Sequence, residues 1–228
     1  MKIAGLIPFT TIDFPEKLAA VVFFQGCPLK CPFCHNPDLQ IFDKKGLIEW
    51  SEVLSFLKER RKRLDGVVLS GGEPLMQPDI LMAITAIKEL GFKVAIHTAG
   101  VYPEKMKQLL PLIDWVGLDI KAPKEKYHIL SGRENISKSV FETLDILANS
   151  TLDFEVRTTL DPKHLDISDV HKLVNDLKPF QIKTYALQKY RTFPGDINPP
   201  SMQEIEKFFQ DEQLMSTLRD QFPKLIIR

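Results

Sequence analysis

Cysteine is scarce in this chain: only three occur among 228 residues, and all of them fall between positions 27 and 34. An odd number packed so closely argues against a disulfide framework and favours a reducing compartment and a shared ligand. Net charge is missing as well, because 30 basic and 30 acidic side chains cancel. No long-range field draws the chain towards nucleic acid or an anionic membrane, so neither is expected as a partner. Long apolar runs are also lacking. Met1 to Leu6 is too short for a secretory signal, and no later run approaches a bilayer span. A soluble cytoplasmic protein is expected. With 44% apolar residues the chain can bury one full core, and a single domain over residues 1–228 is expected.

Low-complexity tracts, linkers and close repeats are absent, but strand and helix signals alternate. Leu18 to Phe24 is a continuous apolar run, rich in valine and phenylalanine, that reads as a buried strand. Ser51 is placed to cap a helix running to about Lys62, and Gly66 to Ser70 reads as the next strand. Asp79 to Leu90 carries isoleucines at helical spacing with Gly91 to end it, and Phe92 to His97 returns as a strand. Pro103 to Leu110 suits a short helix and Trp115 to Ile120 a strand. Ser137 to Asn149 and Ile167 to Leu177 read as helices, Phe154 to Leu160 and Gln181 to Leu187 as strands, and Ser201 to Phe209 as a terminal helix. Residues 18–187 would then form the core and 201–228 a helical extension. Six strand signals separated by helices indicate parallel βαβ units of an α/β protein. Six is too few for a closed eight-stranded barrel, so a partial, open (β/α)6 barrel with helices outside is expected, a doubly wound sheet being the alternative. In both, the reactive loops gather beyond the carboxyl ends of the strands.

The strongest chemical signal is Gly26-Cys27-Pro28-Leu29-Lys30-Cys31-Pro32-Phe33-Cys34-His35-Asn36, with spacing C-x3-C-x2-C. A four-iron cluster normally takes four thiolates. With three in the chain, one iron would be open to a small molecule that brings its own nitrogen and oxygen ligands. Zinc on Cys27, Cys31, Cys34 and His35 is the competing reading, made awkward by the adjacency of Cys34 and His35. Three unligated cysteines in a loop is the bland one.

Other loops carry weaker signals. Ser70-Gly71-Gly72-Glu73-Pro74 follows a strand, and its paired glycines permit either a close backbone approach or an ordinary tight turn. Asp119 and Lys121 end a strand, and period-two spacing puts them on one face, as a site or as an exposed charge pair. Arg157 interrupts an otherwise strand-like run, so its charge needs a partner if buried: a carboxylate ligand or a salt bridge. Lys58 to Arg63 reads as a solvated helix face. His128, His164 and His171 show no ligand spacing.

At the cysteine motif, with Phe33 in the aromatic position before the third cysteine, the chain resembles the radical S-adenosylmethionine superfamily. The unchanged GGEP turn strengthens the resemblance. Ile12-Asp13-Phe14-Pro15, Phe23-Phe24-Gln25-Gly26, Cys34-His35-Asn36-Pro37, Asp119-Ile120-Lys121-Ala122-Pro123, Arg157-Thr158-Thr159 and Leu187-Gln188 are similar to the glycyl-radical activating branch. Within it, the group that activates anaerobic ribonucleoside-triphosphate reductase is nearest. The resemblance implies an anaerobic oxidoreductase with a 4Fe-4S cluster on Cys27, Cys31 and Cys34 and S-adenosylmethionine on the open iron. It implies cofactor contacts from Phe33, Gly71, Gly72, Glu73, Thr98, Asp119, Lys121 and Arg157, with Tyr185 to Gln188 near the adenine. The cofactor carries the chemistry, so no catalytic acid or base is needed. The implied partners are a glycyl-radical enzyme as substrate and flavodoxin or ferredoxin as electron donor, with the chain itself a monomer. A small-molecule or nucleotide substrate is the alternative. One departure stands out: related activases often have Asp-Thr-Asn-Gly after the third strand, where this chain has His97-Thr98-Ala99-Gly100, so His97 is expected to do something different.

Overall fold

Alternation of buried strands with amphipathic helices produces a single curved sheet. The computed structural model describes residues 1–193 and 195–228. Its strands are β1 (Ile3–Thr10), β2 (Ala19–Phe24), β3 (Gly66–Gly71), β4 (Lys93–Thr98), β5 (Trp115–Asp119), β6 (Phe154–Leu160), β7 (Thr184–Lys189) and β8 (Lys224–Ile227). They lie side by side in chain order. β1 pairs antiparallel with β2, and every later neighbour is parallel. A doubly wound sheet reverses its strand order part-way across. This one never does, so it is the wall of an open barrel.

Helices fill the crossovers: α1 (Trp50–Glu59), α2 (Ile80–Glu89), α3 (Pro103–Leu109), α4 (Tyr127–Ser131), α5 (Ile136–Ala148) and α6 (Ile167–Leu177). The two faces of the sheet bury different sets of residues, as a period of two requires. Val22, Phe24, Leu69, Ile96, Leu118 and Val156 pack outward with Leu57, Ile84, Leu144 and Leu173 of the helices. Ala19, Val21, Val68, Ala95 and Trp115 point inward around Phe14. Phe14 belongs to the β1–β2 loop, which turns into the barrel and plugs its lower end. The open space that remains lies at the carboxyl ends of the strands.

All six expected core strands are present, within three residues at each boundary. Two others escape the sequence reading. β1 carries Pro8 and a register shift between Ile7 and Thr10, which break its alternation. The segment expected as a helical extension holds α7 (Met202–Gln210), α8 (Glu212–Gln221) and then β8, which adds a strand to the wall. Ser201 does cap α7, accepting from the Glu204 N–H. Ser51 does not cap α1. That helix begins at Trp50, with the Glu52 carboxylate accepting from the Glu49 N–H at 3.1 Å. It ends before Lys62, whose φ of 66° is left-handed. No helix among the described residues is long and apolar enough to cross a membrane.

Candidate active site

The cysteine loop leaves the carboxyl end of β2 and is pinned to the turn after β3. Gly72 N–H donates to Phe24 C=O at 2.8 Å, and Glu73 N–H to Gly26 C=O at 2.9 Å. This closeness is why residue 72 is glycine: a Cβ there would lie 2.0 Å from the Gly26 oxygen. Gly71 adopts φ +105°, a conformation that other residues rarely accept. The loop also rests on α4, with Lys30 N–H donating to Ser131 C=O at 2.8 Å.

Above this turn lies a cleft of about 370 Å³ that brings together Cys27, Cys31, Cys34, Phe33, Gly71, Gly72, Thr98, Asp119, Lys121 and Arg157. All three cysteines are free and half-buried. Burial, with the Glu73 charge adding to it, pushes the Cys27 thiol up to about 12. Burial also raises Cys31, against the pull of Lys121. Thiols so placed ionise only beside a positive centre, which is the chemistry of a metal-binding donor set. Three free thiols lining one cleft are a donor set that suits an iron–sulfur cluster.

A further part of the cleft lining, next to the cysteine loop, is charged. Asp119 Oδ1 accepts from Arg157 Nε at 2.7 Å, and Asp119 Oδ2 is 3.7 Å from Lys121 Nζ. Burial works to raise the Asp119 carboxyl, but the Arg157 and Lys121 charges outweigh it and hold it below the usual carboxylate range. Burial likewise opposes the Lys121 charge, and the Cys31 and Asp119 sulfur and carboxylate overcome it. Lys121 Nζ also sits 5.7 Å from the centre of the Phe33 ring, a favourable placement for a cation. Arg157 donates from Nη2 to Gly117 C=O at 3.3 Å. Gly117 makes the room, since a Cβ there would meet the guanidinium carbon at 2.8 Å.

Two expected contacts are placed differently. Glu73 is wholly buried and turned away from the cleft. Its carboxylate accepts from Thr98 Oγ1 at 2.7 Å, Ala99 N–H at 2.9 Å and Leu75 N–H at 3.1 Å, tying the β3 turn to the end of β4. The Thr98 hydroxyl is thus engaged with Glu73. We expect Glu73→Ala to lower unfolding free energy by about 2–3 kcal/mol, because it orphans buried donors. Urea titration checks this, and a midpoint like the parent's would refute it. Tyr185 is fully buried on the outer face, donating to Thr158 Oγ1 at 2.8 Å and stacking on Phe222 at 4.3 Å. Period two sends Tyr185 outward and Gln188 into the cleft, so only the latter can meet a ligand there.

His97 also lines the cleft. Its Nε2 donates to Asp13 C=O at 2.8 Å and its ring meets Trp115 edge-on at 5.7 Å. Burial, reinforced by Arg157, lowers its pKa to about 3, so the ring is neutral. Glu155 and its ion-pair partner Arg228 also line the cleft. Glu155 was within reach of sequence reasoning, because it stands two residues before Arg157 on the same strand face. Arg228 gave no such signal.

The sequence model of the radical SAM superfamily matches residues 21–177 of this chain, from β2 through α6. The chain belongs to the radical SAM superfamily. This radical SAM chain is 34% identical over 197 residues to a Methanocaldococcus jannaschii protein classed by name with glycyl-radical enzyme activating enzymes, covering 82% of this chain and 79% of that one. It is 32% identical over 189 residues to the pyruvate formate-lyase-activating enzyme of Clostridium pasteurianum, covering 79% and 78%. It is an enzyme of the glycyl-radical activase type. Among solved structures, a radical SAM methyltransferase from Sphaerobacter thermophilus matches with a TM-score of 0.73 at 16% identity, over 96% of this chain and 68% of that one. That likeness concerns the fold.

Proposed function

We propose that this radical SAM chain holds a 4Fe-4S cluster on Cys27, Cys31 and Cys34, with one iron left for S-adenosylmethionine, and generates a glycyl radical on a partner enzyme such as an anaerobic ribonucleotide reductase. The observation that carries this is the meeting of three half-buried thiols with a charged Asp119–Arg157–Lys121 wall in one cleft. Held on Cys27, Cys31 and Cys34, a cluster would supply the single electron needed for reductive cleavage of S-adenosylmethionine, and the chemistry so supplied would be hydrogen abstraction from a glycine α-carbon.

The chain's own residues position and shield. Main-chain groups of Gly71 and Gly72 would meet the methionine ammonium. Lys121 would face its carboxylate, and the Asp119 carboxylate, held ionised by Arg157, would accept from the ribose hydroxyls. Phe33 and Leu29, 6% and 0% exposed, wall off water behind the thiols. Because the chain has no fourth cysteine, a single cluster must be refilled with electrons from outside, by flavodoxin or ferredoxin.

Anaerobic reconstitution with iron and sulfide tests the reading. The unaltered chain should bind about four irons and release 5′-deoxyadenosine under dithionite, and Cys31→Ala should lose both. One tight zinc and no 5′-deoxyadenosine would overturn the cluster. With the cluster in hand, a glycyl-radical doublet in an anaerobic lysate identifies a protein substrate; a consumed metabolite without that doublet would point instead to a small molecule.

A further inference from the structure

Two buried side-chain amides outside the cleft have no part in the chemistry above. Gln25 and Gln77 are only 2% and 4% exposed. Gln25 stands immediately before Gly26-Cys27, and its Nε2 donates to two main-chain carbonyls on the far side of the cysteine loop, Asp38 at 2.7 Å and Ile41 at 2.8 Å. The main-chain carbonyl of Gln25 in turn accepts from Gln77 Nε2 at 2.9 Å. Gln77 Oε1 accepts from the Lys2 N–H at 3.2 Å, and Gln25 N–H donates to Lys2 C=O at 2.9 Å. A chain of hydrogen bonds therefore runs from Lys2, just before β1, through the turn after β3, to both ends of the loop that carries the three cysteines.

We infer that Gln25, oriented by Gln77, is a positioning residue that clasps the two ends of the cysteine loop and presets Cys27, Cys31 and Cys34 before metal arrives. Between the clasped ends the loop has little regular hydrogen bonding of its own. Within it, Cys34 N–H donates to Cys31 C=O at 3.2 Å and Leu39 N–H to Asn36 C=O at 2.9 Å in a single helical turn over Pro37–Gln40, and Gln40 Nε2 approaches the Cys31 carbonyl at 3.4 Å. At the neck one main-chain bond, Gly26 N–H to Leu39 C=O at 2.8 Å, runs alongside the clasp. A primary amide supplies two donors on one uncharged nitrogen, one for each carbonyl. A methionine of similar length fills the space but takes the shared donor away from both part-buried carbonyls. The effect falls on the loop, because the outer core of the sheet lies elsewhere.

The inference rests on reading this loop as the metal-binding one, and its test is separable from that reading. Hydrogen exchange is measured first on the metal-free chain, for the parent, Gln25→Met and Gln77→Met. We expect amides 26–41 of Gln25→Met to exchange about tenfold faster or more, with β4 to β6 within about twofold of the parent. Gln77→Met should show the same pattern, more weakly. After anaerobic reconstitution, a ferrous chelator should draw iron from Gln25→Met about tenfold faster, with an altered visible circular dichroism of the cluster. Unchanged exchange over 26–41, or an increase spread evenly through the sheet, overturns the clasp. Should Gln25→Met not fold, Gln77→Met decides by the same criterion: a selective increase supports the clasp and its absence refutes it. Failure of the parent chain to take up a cluster would count against the proposed function and leave the exchange result standing.

Discussion

Replacing Gly72 with alanine is expected to cost more than about 3 kcal/mol of stability, at the upper end of what an added methyl group does in a packed site. The added Cβ would stand 2.0 Å from the Gly26 oxygen, 2.6 Å from the Gly26 carbonyl carbon and 2.9 Å from the Leu39 oxygen. All three are main-chain atoms, so no rotamer change relieves the overlap. Relief requires the turn after β3 to part from the cysteine loop, which breaks the Gly72–Phe24 and Glu73–Gly26 hydrogen bonds. Gly5 is the control, because nothing lies within 4 Å of a Cβ there, and Gly5→Ala should stay within about 0.5 kcal/mol of the parent. Urea unfolding of the metal-free chains compares them. Equal midpoints would mean that the two loops are not wedged together.

Acidification should destabilise the chain through His97. Its folded pKa lies near 3, below the unfolded value of about 6.5. Between these values the unfolded chain binds a proton that the folded chain refuses, so stability is full above pH 6.5 and falls as pH drops. One proton corresponds to about 1.4 kcal/mol per pH unit, or about 2 kcal/mol between pH 6.5 and 5. Asp119, whose folded pKa is depressed, loses stability in the same direction but only below the ordinary carboxylate range. Burial raises the Glu73 carboxyl, which acts in the opposite direction, so it is the comparison of variants that isolates His97. His35 is also lowered, by burial and then by Arg191, and the variant His97→Gln separates the two. It can still donate to the Asp13 carbonyl and should lose most of the pH slope. A parent chain equally stable at pH 6.5 and 5 would show that the His97 ring takes up its proton within the fold.

The same histidine stands where the family resemblance leads to an expectation of aspartate. A carboxylate beside Asp119 would add a second negative charge to that wall. The imidazole instead ties the β1–β2 loop to the end of β4 through Asp13. Its departure from the family pattern was visible in the sequence, but its partner was not, because Asp13 lies 84 positions away.

Local pattern was sufficient wherever a residue's neighbours in sequence are also the neighbours that decide its state. The six parallel strands from β2 to β7 and the helices between them were legible for that reason, since burial on both faces makes β2 to β5 largely apolar and β-branched or aromatic residues mark β6 and β7. The grouping of three cysteines within one loop was equally legible, and family resemblance extended it to Asp119, Lys121 and Arg157. Tertiary structure alone decided the rest. It turned Glu73 from the cleft towards Thr98 and Ala99, sent Tyr185 outward against Phe222, and paired Arg157 with Asp119 across two strands. It also added β1 and β8 to the wall and joined Gln25 to Gln77 across 52 positions. Each of these depends on which distant groups, main-chain or side-chain, are brought within reach when the sheet curls. A buried donor or acceptor takes whatever partner the fold places there, and periodicity along the chain carries no record of it.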